Sequence, residues 1–211
     1  RLLHAIITSS ILQYSNEELE IYLVDFKSGT EFKVYESVKL PHIQLLALDA
    51  MQEFGESILE NLVKEMEHRG TLFKEAGQTS LKGYKEATGK PLPRILVIMD
   101  EFQILFNDST NRKVAMNCAE LTKRIVTEGR AFGIHLLMAT QSTKVISDLT
   151  LNTLIRTIMK GNTNAINNNV STIIIMACLI FLSRAAFSFS IMPAPPLSYQ
   201  RKLEFHRLLH R

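Results

Sequence analysis

Cysteine is almost missing from these 211 residues: Cys118 and Cys178 stand alone, without metal-ligand spacing. That excludes a disulfide framework or a Cys-rich zinc module and fits reduced thiols in a cytosolic domain. An excess of one charge is also missing. The 24 Lys and Arg against 21 Asp and Glu leave +3, which neither demands nor excludes a nucleic-acid partner. No repeat of fixed period appears. The longest unbroken apolar run, Ile173 to Leu182, is ten residues, where a membrane-spanning helix needs about 20. Extending it to Met192 would put Arg184 in the hydrocarbon, at about 2.5 kcal/mol or more. A phosphate-gripping loop is missing as well. Gly83-Tyr84-Lys85-Glu86-Ala87-Thr88-Gly89-Lys90 has the right flavour, but its spacing is one residue too long and Pro91 replaces the Ser or Thr. It also precedes a strand pattern, whereas phosphate cradling needs the N–H groups of a helix start. It is rejected as a nucleotide loop.

What is present is organised around Pro93–Phe102. Five apolar residues, Ile95 to Met99, end abruptly in Asp100 and Glu101. Such a run reads as a strand buried on both faces. Carboxylates are costly to bury, so the two acids should emerge at its carboxyl end, where open parallel sheets bind ligands. This is the form of a Walker B element, with the Asp on Mg²⁺ through water and the Glu polarising the attacking water. An ordinary acidic helix start is the competing reading.

The 46% apolar content suffices for a real core in one domain or slightly more. The chain opens at Arg1 in the middle of an apolar helical pattern without a cap, as a fragment would. Strand patterns follow at Ile21–Val24, ending in Asp25, and at Pro41–Leu48, ending at Asp49. A turn at Lys27–Thr30 and a short extended piece, Glu31–Tyr35, lie between them. Gln52 to Glu75 carries Phe54, Ile58, Leu59, Leu62, Val63, Met66 and Phe73 at three- and four-residue spacing, an amphipathic helix. Gly77–Lys90 reads as a connection. Beyond the polar turn Asn107–Thr110, a helix runs from about Arg112 to Glu128, with Gly129 and Gly133 at its end. His135–Gln141 is a further strand. Strands alternating with helices predict a parallel α/β sheet covered on both faces.

In order and spacing, "EIYLVDFKSGTEFKVY", "LPHIQLLALD", "EMEHRGTLFKEAG", "LPRILVIMDEFQILF" and "EGRAFGIHLLMATQS" resemble the motor domain of FtsK/SpoIIIE-type translocases. That family includes the ATPases of type VII secretion and of conjugative elements. The resemblance spans about residues 1–158. It implies a three-layer RecA-like P-loop NTPase core, here without the first strand and the P-loop, whose Lys and Ser/Thr would fall just upstream of Arg1. It further implies a homo-hexameric, cytoplasmic, membrane-associated motor that uses ATP and Mg²⁺ to pull double-stranded DNA, or in the secretion branch a protein, through a central channel. The 211 residues alone would then neither bind nor hydrolyse ATP.

Carried over singly, Asp100 is the Mg²⁺-associated carboxylate, Glu101 the base that positions water, and Gln141 the γ-phosphate sensor. Arg69 and Arg130 are candidates for a finger acting across a subunit boundary. Against that stand a solvated helix-face arginine near Glu65 and a helix-end cation. Asp25, Lys27 and Glu31 match a family block and read as a polar turn at the active edge. Lys82, Lys85 and Lys90, with Tyr84 and Arg94 nearby, are the candidates for tracking DNA phosphates, although most Lys-rich loops are merely solvated. After Ile158 the resemblance stops. Residues 159–211 carry an Asn-rich run, the apolar stretch above, Pro193-Ala194-Pro195-Pro196 and a basic end, and read as a divergent tail of low order. His206 and His210 lack a third ligand.

Overall fold

The computed structural model describes residues 2–27, 29–140 and 174–177. Its centre is strand β3 (Arg94–Asp100). Side chains alternate across a strand, and here Ile95, Val97 and Met99 enter one core cluster while Ile98 enters another. A strand that fills two cores needs helices on both sides. Helix α1 (Leu2–Gln13) supplies Leu3 and Ile7 to one face, against Ile21, Leu23, Ile98 and Leu137. Helices α2 (Gln52–Glu75) and α4 (Asp108–Phe132) supply Leu59, Leu62, Met66, Cys118 and Ile125 to the other. Each such fully buried aliphatic side chain contributes roughly 1.5–3 kcal/mol.

The remaining strands are β1 (Leu19–Asp25), β2 (Ile43–Ala47), β4 (Ile134–Thr140) and β5 (Ile174–Ala177). Their order is β2-β1-β3-β4-β5, and every neighbouring pair is parallel. This is the expected three-layer α/β architecture. Asp25 lies opposite Asp100 and Ala139 pairs with Asp100 on the other side, so β1, β3 and β4 end level.

Three segments depart from the sequence reading. Gly77–Lys90 contains a helix, α3 (Leu81–Thr88). The Ser80 hydroxyl accepts the Gly83 N–H at its start, Gly89 ends it at φ 66°, and Leu81 and Tyr84 pack on Phe73. Lys33–Tyr35 is a 3₁₀ turn, not an extended piece. The turn at Asn107–Thr110 is already helical from Asp108, with a break at Asn111 (φ −152°, ψ 98°). The Asn111 side chain accepts the Val114 N–H at 3.3 Å and restarts the helix at Arg112.

β5 lies inside the span read as a tail, so the sheet draws one strand from it. Gln141, the Asn-rich run, the proline cluster and the basic end lie outside the described residues. Among the described residues no helix is long and apolar enough to cross a membrane.

Candidate active site

Strand β3 ends in a backbone reversal at Glu101, whose φ of 53° and ψ of 39° are left-handed. Few residues other than glycine adopt that region without cost. The reversal is held because the next five residues, Phe102–Phe106, form a 3₁₀ turn with Phe102, Leu105 and Phe106 fully buried. The buried Gln52 side chain at the start of α2 donates to the Leu105 carbonyl at 2.9 Å and pins the turn from the other side. Glu101 is thereby turned inward and only 2% exposed. Its Oε2 accepts from the Gln103 amide and from the Thr140 hydroxyl at 3.5 Å; its Oε1 faces Lys27 Nζ, also at 3.5 Å.

Asp25 shapes the neighbouring turn. One carboxylate oxygen accepts the Lys27 N–H at 2.9 Å and the other the Glu31 N–H at 3.3 Å, so the chain folds over the end of β1. The Phe26 N–H donates to the Asp100 carbonyl at 3.3 Å, which ties this turn to β3. Glu31 then meets α1: its Oε1 lies 3.3 Å from His4 Nε2, while His4 Nδ1 and the Tyr35 hydroxyl are 2.9 Å apart. The first turn of α1 therefore abuts the acidic edge of the sheet. Burial and the nearby Glu31 push the Tyr35 hydroxyl up to about 12.

Asp100 is pushed up to about 6, first by burial and further by Glu101, Asp25 and Glu31, against a lowering backbone hydrogen bond from Glu101. A site that resists its own negative charge is one that a cation relieves. Among the described residues no group of three or more His, Cys, Asp or Glu is arranged to hold a metal ion. The donors suit Mg²⁺ in the way that ion is commonly held, by one carboxylate together with water and phosphate oxygens.

The other sequence candidates lie elsewhere. Arg69 is 1% exposed. Its Nη1 donates to the carbonyls of Pro93 and Phe132, both at 2.8 Å, and its Nε donates to Glu65 at 2.7 Å. It clamps α2 to the amino ends of β3 and β4, so it is a buried structural cation and not a solvated helix-face residue. Arg130 is exposed in the last turn of α4, also at the amino edge. Burial first, then Arg94 and Arg130, lower the His135 imidazole. Lys82 and Lys90 are exposed on or after α3, with Lys82 3.7 Å from Glu86. Lys85 and Arg94 help to hold the Glu18 carboxyl low, behind the larger effect of its Ser15 hydrogen bonds. Tyr84 is a core residue, its ring tilted 39° against that of Phe73 at 5.5 Å.

Lys27, Thr140, Gln103 and His4 are site residues that sequence reasoning missed as such. The Lys27 block was visible only as a polar turn, and the other three had no signal beyond their places at the ends of elements.

Residues 1–145 match the family model described as the FtsK/SpoIIIE family. DNA translocase FtsK of Staphylococcus aureus (strain Mu50) is 31% identical over 153 residues, covering 68% of this chain and 18% of that protein. ESX-5 secretion system protein EccC5 of Mycobacterium marinum is 29% identical over 152 residues, covering 67% of this chain and 10% of that protein. The chain thus spans less than a fifth of the length of these relatives. Among solved structures, the cytoplasmic domain of the Thermomonospora curvata type VII secretion ATPase EccC matches with a TM-score of 0.58 and 27% identity, over 72% of this chain and 18% of that one.

Proposed function

From the premise that the chain belongs to the FtsK/SpoIIIE family of P-loop ATPases, we propose that it works as an ATP-hydrolysing motor subunit that moves double-stranded DNA within a homo-hexamer. One observation supports this most: Asp100 ends the central strand at the sheet's carboxyl edge and Glu101 follows it, next to the Asp25–Glu31 turn whose Glu31 contacts the first turn of α1. Bound Mg-ATP supplies the phosphoryl group and the charge that neutralises it. Asp100 would hold the cation. Glu101, enclosed by Lys27, Gln103 and Thr140, orients the attacking water and takes its proton, the role a phosphoryl transfer leaves to the protein. In this reading Gln141, directly after Thr140 at the end of β4, senses the γ-phosphate.

Arg69 is buried and bonded to backbone carbonyls within its own chain, and Arg130, exposed in the last turn of α4, is the arginine proposed to act across a subunit boundary. It lies at the opposite edge of the sheet from Asp100, where only a second copy can present it to the carboxylates. Lys82, Lys85 and Lys90 are proposed to follow DNA phosphates without reading bases. The exposed Lys82–Glu86 pair is weak enough for a phosphate to displace.

Export of a protein is the second reading, favoured by the likeness to EccC5 and to the EccC ATPase. ATP turnover of the full-length protein, with and without double-stranded DNA, separates the two. The DNA reading expects stimulation that weakens with salt, and a shallower salt dependence after Lys82 and Lys85 are both changed to Ala. Turnover indifferent to DNA but raised by a secreted substrate establishes the second reading instead.

A further inference from the structure

The turn after β1 carries the one cation that contacts the Glu101 carboxylate among the described ion pairs. Lys27 is 65% exposed along its side chain while Glu101 is 3% exposed, so the lysine reaches from solvent onto a buried acid. The turn that carries it is fixed at three points. The Asp25 carboxylate accepts the Lys27 N–H, the Phe26 N–H donates to the Asp100 carbonyl, and Phe26 packs where Gly55 leaves room for it. A flexible surface lysine would not need such anchoring.

The carboxylate itself is engaged on both oxygens: the Lys27 ammonium forms an ion pair with Oε1, and Gln103 and Thr140 donate hydrogen bonds to Oε2. These three groups, on three different elements, fix the plane of the carboxylate as well as its place. A buried carboxylate without a cationic partner is strongly disfavoured, and a base tilted from its working direction loses rate steeply.

We propose that Lys27 is a positioning residue for Glu101: from the turn after β1 it holds Oε1, and with Gln103 and Thr140 it sets the direction in which the base faces the attacking water. This rests on the reading of Glu101 as the base. It gives a role to a residue otherwise explained as part of a polar turn, and it couples the end of β1 to the chemistry at the end of β3.

The test is made in the full-length protein with steady-state ATP kinetics and unfolding curves. Lys27→Met should lower kcat about 10- to 100-fold while KM for ATP stays within about threefold, the pattern of a lost orienting contact rather than a lost binding contact. Lys27→Arg, which also reaches the Glu101 oxygen, should recover most of the rate. Lys27→Met should also lower Tm in the parent but not in a Glu101→Gln background, where the ion pair is already gone. A rise in KM with kcat unchanged would make Lys27 a phosphate contact and overturn the assignment. So would an unchanged or faster kcat, or an equal Tm loss in both backgrounds. Glu101→Gln, measured alongside, separates the two levels. If it leaves turnover intact, the base reading itself fails; if it abolishes turnover while Lys27→Met is silent, only the role of Lys27 fails.

Discussion

Asp25 and Asp100 end neighbouring parallel strands in register, and both side chains are buried. Two carboxylates so placed, with Glu101 and Glu31 nearby, make the carboxyl edge of this sheet costly to charge. They also make it receptive to a cation.

That cost has a pH signature. Asp100 binds its proton up to about pH 6 in the folded chain, against an ordinary value of 3.8. The folded state therefore binds more protons than the unfolded state between those values, and this group's contribution to stability falls as pH rises through the window. The penalty is absent below about 4 and complete above about 6. Asp100→Asn, which carries no charge at any pH, should gain stability relative to the parent across that window, by on the order of 1–3 kcal/mol. Urea unfolding of the Mg²⁺-free, nucleotide-free protein at several pH values measures it. A difference that does not change with pH contradicts the perturbed carboxyl.

Arg69 should behave as a structural residue. Replacing it by Met removes the donors to the Pro93 and Phe132 carbonyls, and each of these partly buried acceptors left without a donor costs about 1–2 kcal/mol, the lower part of the range for buried groups. A loss of roughly 2–4 kcal/mol in unfolding free energy is expected. Unchanged stability with ATP turnover lost would restore Arg69 as a catalytic candidate.

Gly55 on α2 sits where an added Cβ would collide with Leu105 of the 3₁₀ turn and come within 2.8 Å of Phe26 Cε1. Phe26 directly follows Asp25, and Leu105 lies in the 3₁₀ turn that follows Glu101. Gly55→Ala should cost about 1–3 kcal/mol by overpacking. It should also lower kcat more than it raises KM, because it pushes on the turn that orients Glu101. An alanine variant with parent stability and parent kcat would show that this contact yields freely.

Much of this architecture was legible in the sequence because its elements are long and strongly periodic. The amphipathic pattern at Gln52–Glu75 coincides with α2, and the apolar run before Asp100 with β3. α3 was missed because eight residues with Leu81 and Tyr84 as their only large apolar side chains carry too little periodicity, and Gly83 reads as a loop residue. Its N-cap, Ser80, was the available signal. The start of α4 was displaced for a different reason: Asn111 caps the main run, and the turn before it is helical only through Asn107. At the site, Asp100 and Glu101 were visible because two adjacent acids after a buried strand break the pattern. Burial of Arg69 and the reach of Lys27 to Glu101 were not visible, since both depend on contacts between segments tens of residues apart. An arginine on a helix face looks the same in sequence whether its partner is water or a carbonyl 63 positions away.

The placement of Glu101 as the base is tested most directly by Glu101→Gln in the full-length protein, with ATP turnover and ATP binding measured on the same preparation. Turnover should fall by about 100-fold or more, while the Kd for ATP stays within about threefold, since the amide keeps the shape of the side chain and loses the proton acceptor. A variant that hydrolyses ATP at the parent rate would contradict it.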